Sequence, residues 1–221
     1  MRRRITRFLW VLAYLLTAIG ILMVIRRTLA IAGLIPSFTP RGAPSGGQPF
    51  DSDFSRHPVI TFIHMLPGAL FLILGPMQFT RRTRERPNNG IRIAFIFAGY
   101  IVGISALCLP FVLKPIGGLN EAAASTLFAI YFLIALSRTW WHLTKGNTAL
   151  CREWIIRAYA IGLAIATVRP IMGIFFAFSG LQPQVFFGTA FWLGFTIHAI
   201  AAEVFINYTR NPENLKFVRP K

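Results

Sequence analysis

A small set of ionisable side chains sits in stretches otherwise too apolar to hold them: His64, Arg138, Arg157, Arg169, His198 and Glu203. An arginine at the centre of a membrane helix costs roughly 2.5–3.5 kcal/mol on insertion scales, so each of these groups needs a reason to be there. A guanidinium held at depth favours an anionic ligand, such as a carboxylate or a lipid phosphate. His64 lies roughly 9 Å inside the outer end of its segment and Arg169 at a comparable depth in another, taking 1.5 Å per residue. Small residues flank both on one helix face (Gly68 and Gly75; Ala158, Gly162, Ala166 and Gly173), so both side chains are expected to point inward. Together they could form an outward-opening polar pocket, with Asp51, Asp53, Asn120 and Glu121 at its rim. The structural alternative is that Arg169 is held by carbonyls and a helix end, with His64 as a neutral hydrogen-bonding partner.

His198 falls near the middle of the last apolar segment, beside Gly194, Ala201 and Ala202. Haem ligation, proton relay and helix packing are the roles open to a buried imidazole. Haem requires an axial partner at matched depth, and neither His64 nor His142 is expected at that level. Glu203, Arg138 and Arg157 reach a similar height near the inner boundary, so they could form an ion-pair clamp or an inner gate. Tyr131, Ala135, Arg138 and His142 are expected on one face of their helix. Cys151 stands alone, with no ligand at metal spacing, and no metal site is expected. The chain lacks CxxC, HExxH, GxxxxGK[ST] and GxSxG, so no catalytic residue is assigned.

What must position these groups is a helical membrane bundle. Mean hydropathy is +0.58, above the usual range for a soluble domain, and the apolar residues come in blocks. A bilayer crossing takes ~20 apolar residues, and six segments qualify: about 8–27, 58–79, 92–113, 122–141, 154–178 and 186–206. Backbone polar groups cannot stay unpaired in hydrocarbon, so each segment is expected to be helical and the fold all-α. Arginines and lysines cluster before span one, after spans two and four, and after span six. The positive-inside rule therefore places both termini in the cytoplasm, with residues 207–221 as a basic tail. Residues 36–57, rich in Pro, Gly and Ser, read as a solvated outer loop. The first apolar run is too long for a signal-peptide core and reads as an uncleaved span. A net charge of +16 that flanks apolar spans points to anionic lipid headgroups and not to nucleic acid. Gly99 and Gly103 form a GxxxG in span three, expected to pack within the bundle.

Two stretches carry a family likeness. His64-Met65-Leu66-Pro67-Gly68 leads into Leu74-Gly75-Pro76-Met77-Gln78-Phe79, and Cys151-Arg152-Glu153-Trp154-Ile155-Ile156-Arg157-Ala158-Tyr159 is followed by Val168-Arg169-Pro170. In these the chain resembles the bacterial membrane proteins grouped as domain of unknown function 2306. The resemblance implies a multi-pass protein of the bacterial inner membrane and supplies no activity. The family pattern has His-Arg where this chain has Asn88-Asn89-Gly90-Ile91-Arg92, and His-Arg-Arg-Trp where it has Cys151-Arg152-Glu153-Trp154. Three function classes follow. The leading one is a protein that binds or moves a small or lipidic ligand in an intramembrane pocket, with membrane lipids as partners. A haem- or quinone-linked electron carrier and a structural subunit of a membrane complex are the alternatives.

Overall fold

The computed structural model describes residues 2–36, 52–80 and 89–210. Its helices are α1 (Arg2–Ile31), α2 (Ser52–Arg56), α3 (Pro58–Met77), α4 (Asn89–Val112), α5 (Gly118–Thr144), α6 (Thr148–Phe178) and α7 (Pro183–Thr209). All but α2 are long and apolar enough to cross a membrane, so the described residues form the expected all-α, six-span bundle. Asp51, the four arginines between 81 and 86, and residues 211–221 of the basic tail lie outside the described residues.

Local chemistry sets the helix ends. Pro58 and Pro183 open α3 and α7, where a missing N–H costs nothing. Asn147 caps α6 by accepting from Leu150 N at 3.2 Å. Just before it, Gly146 takes a φ of +68°, and the Asn147 N–H reaches back to His142 O at 2.9 Å. That paired pattern, with Gly146 N bonded to Leu143 O, closes α5 and turns the chain within a few residues. The expected solvated loop before α3 ends in helix α2. Arg27 of α1 stacks over the Phe54 ring at 3.6 Å, and Thr61 donates to Phe54 O and His57 O.

α6 is the centre of the bundle, packing against α1, α3, α5 and α7. Its flank carries apolar residues nearly all round, as a helix surrounded by others requires. The main core stacks Phe71 on Phe95 with centroids 4.3 Å apart, and sets Phe132 edge-on to Phe71. Glycines bring the helices together. Gly75 lies flat against the Tyr159 ring, and a Cβ on Gly99 or Gly103 would strike Leu136 or Leu133 of α5. The GxxxG pair therefore packs inside the bundle, as its spacing suggested. Trp10 at the start of α1 meets Phe79, beyond α3, at 5.1 Å and Phe205 near the end of α7 at 6.3 Å. These contacts gather the beginning of α1 and the end of α7 at one pole, here called the terminal pole.

Candidate functional site

The polar side chains within the spans sort into four settings. At the pole opposite the termini, Gly117 N donates to Glu121 Oε2 at 2.7 Å, and the Arg169 charge lies close enough to act on that carboxylate. Asn120 Oδ1 accepts from Trp192 Nε1 at 2.9 Å, while its amide lies over Gly188. Arg169 of α6 is thus brought to Glu121 of α5, and it also approaches Met172 Sδ at 4.0 Å. Removing the Trp192 donor by Trp192→Phe is expected to cost about 1 kcal/mol, read as a small drop in thermal midpoint in detergent.

His64 takes a different partner. Its Nδ1 bonds Ser105 Oγ at 2.9 Å, joining α3 to α4. Asp53 pairs with Arg56 at 3.6 Å on exposed α2. Of the expected rim, Asn120 and Glu121 accompany Arg169; Asp53 sits in its own surface pair.

Toward the terminal pole, Arg157 of α6 grips Glu203 of α7 with both arms of its fork, Nε to Oε1 at 2.6 Å and Nη2 to Oε2 at 2.9 Å. Behind Arg157, Glu153 lies at 3.9 Å, and Glu153 in turn holds Arg210 through two bonds of 2.9 and 2.8 Å. The Glu153 bonds raise the pKa of Arg210 further above its ordinary arginine value. Trp154 stacks on the Arg157 guanidinium at 4.5 Å, and the Tyr131 hydroxyl of α5 lies close to the same charge. Glu153, Arg210 and Tyr131 escaped the sequence reading as members of this chain of charges. A glutamate one turn before an arginine was the available signal. Arg138 does not join it. That side chain is exposed on the outer face of α5.

The fourth setting is a crevice. α1 and α7 both pack on α6, and between them a gap of about 120 Å³ opens sideways, floored by Ile156, Tyr159, Ala160 and Leu163. Its walls are Leu9, Trp10, Leu12, Ala13 and Leu16 of α1, and His198, Ala201, Ala202 and Phe205 of α7. The Tyr159 hydroxyl meets Thr17 Oγ1 at 2.6 Å. Thr17 spends its own proton on Ala13 O at 2.8 Å, so Tyr159 is the donor. His198 Nε2 bonds Thr167 Oγ1 at 2.7 Å. His64 therefore bonds within the α3–α4 pair and His198 within the α6–α7 pair. No group of three metal-ligating side chains forms among the described residues. Cys151 is fully buried, with the Arg92 charge nearby.

Six helices of this length and apolar composition define a multi-pass membrane protein. Residues 61–206 match the model of the family described as predicted membrane protein DUF2306, and the chain belongs to that family. No curated protein and no solved structure matches the chain.

Proposed function

We propose that the protein binds a lipidic ligand in the crevice between α1 and α7. One observation carries this reading: a sideways-opening gap with apolar walls whose floor and rim hold Tyr159 and His198, both already tied to hydroxyls. A volume of about 120 Å³ is that of roughly four liquid waters, enough for a short stretch of hydrocarbon while the rest of the molecule stays in the bilayer. Because the polar groups are satisfied within the protein, an apolar chain can enter without stranding a donor or acceptor. Arg7 and Trp10 stand at the terminal pole of α1, where an anionic headgroup would meet positive charge and an interfacial ring. The distribution of arginines supports a cytoplasmic setting for that pole, and the family resemblance supports a bacterial inner membrane as its location.

The expected result is that purified protein keeps a lipid through delipidation, seen by native mass spectrometry. Ala201→Trp, which fills the mouth of the crevice, should lower the number of lipids retained by one while leaving the protein monodisperse. Equal retention by the two proteins would sink the proposal.

A further inference from the structure

The membrane-embedded arginines are not treated alike. Arg157 has Glu203 and Glu153, and the Arg169 charge acts on Glu121. Arg138 has no carboxylate within ion-pair distance among the described residues, yet it sits in an apolar span on a face exposed to the surroundings of the bundle. A charge on such a face must reach the interface, where the counter-ion available to it comes from outside the chain. The site around it is formed for one. Ile130, Leu133, Ile134, Ser137 and Trp141 border a shallow surface groove of about 420 Å³ that contains Arg138. These positions recur at helical spacing, so they form a single stripe along α5.

Height selects the ligand. Arg138 lies six residues before the end of α5 at Thr144, about 9 Å along the axis, from which its long side chain can snorkel to the interface. One turn further on, His142 feels the Arg138 charge, and Lys145 Nζ stands 5.3 Å over the exposed Trp141 ring. A cationic fork at headgroup level, a second cation beyond it and an apolar stripe leading away toward the membrane centre are complementary to one kind of molecule. We propose that this face of α5 is a binding site for an anionic phospholipid: Arg138 grips the phosphate through two parallel N–H bonds, Lys145 attracts the remaining negative charge, and an acyl chain lies along Leu133, Ile134 and Ile130. The site shares no residue with the α1–α7 crevice and does not depend on it.

The test is native mass spectrometry of the full chain carried from nanodiscs of mixed phosphatidylglycerol and phosphatidylcholine. Wild-type protein is expected to retain phosphatidylglycerol in preference, and Arg138→Gln to lower that retention about five- to tenfold, the effect of one interfacial charge. Ile134→Trp, which fills the acyl stripe with Arg138 intact, should lower it too, while millimolar inorganic phosphate should not displace the lipid. Ala201→Trp should leave the Arg138-dependent part of the retention unchanged, which separates this site from the crevice. Retention that is indifferent to Arg138→Gln overturns the proposal. So does displacement by inorganic phosphate together with indifference to Ile134→Trp, because that pair of results describes a bare anion site.

Discussion

Gly75→Ala is expected to destabilise the bundle by about 3 kcal/mol or more, at the upper end for overpacking a core. The new methyl group would overlap the Tyr159 ring, and that ring has nowhere to go. Its hydroxyl is fastened to Thr17 of α1, and its face borders Phe71, itself stacked on Phe95. Moving it would disturb α1, α3 and α4 together. Gly68→Ala on the same helix is the control: its methyl would meet only Val102 Cγ2 at 3.8 Å, an ordinary contact, and little should change. The measurement is the thermal midpoint in detergent, followed by size-exclusion fluorescence. Adding Tyr159→Leu to Gly75→Ala should restore part of the loss by making room. If Gly75→Ala and Gly68→Ala behave alike, the close packing at Gly75 is wrong.

The second large effect concerns the charges at the terminal pole. Glu203→Gln removes the carboxylate charge and turns one of its two acceptors into an NH2 group, leaving Glu153 at 3.9 Å as the remaining carboxylate beside Arg157. Breaking a fully buried pair costs about 3–5 kcal/mol. Here the Glu203 side chain is 45% exposed, so about 2–3 kcal/mol is expected. Replacing both partners, Arg157→Met with Glu203→Met, should cost less than Glu203→Gln alone, because no lone charge is left behind. A double-mutant cycle on unfolding free energy gives the coupling directly. Additive single effects would mean that the pair contributes no coupling and that the clamp is ornamental.

The six crossings were legible because hydrocarbon forces every apolar run of sufficient length into a helix, whatever its neighbours. Their ends were less so. α6 begins at Thr148, ahead of the apolar stretch, because Asn147 caps it, and a cap lies outside any hydropathy signal. α2 was read as loop since its five residues, Ser52–Arg56, owe their position to tertiary contacts with Arg27 and Thr61. Among the polar groups, spacing along the chain supplied height and little else. Arg157 and Glu203 meet at matched height. Arg138 shares that height and turns outward, because α5 buries Ala135 and Thr139 instead. His64 and His198 were recognised as interior groups, but their partners Ser105 and Thr167 are small hydroxyls with no signature of their own. Hydroxyls on adjacent helices become visible only once the helices are docked.

The central place of α6 bears on how the protein is made. A ribosome delivers helices in chain order, and α6 emerges after α1, α3, α4 and α5, four of the six long helices described. Until it arrives, α1 and α3 have each other, but Gly75 has no ring to press on and Thr17 no phenol to receive. The earlier helices pair along the chain, α3 with α4 and α4 with α5, and the contacts that join α1, α3 and α5 through one helix are complete only when that late segment has been made.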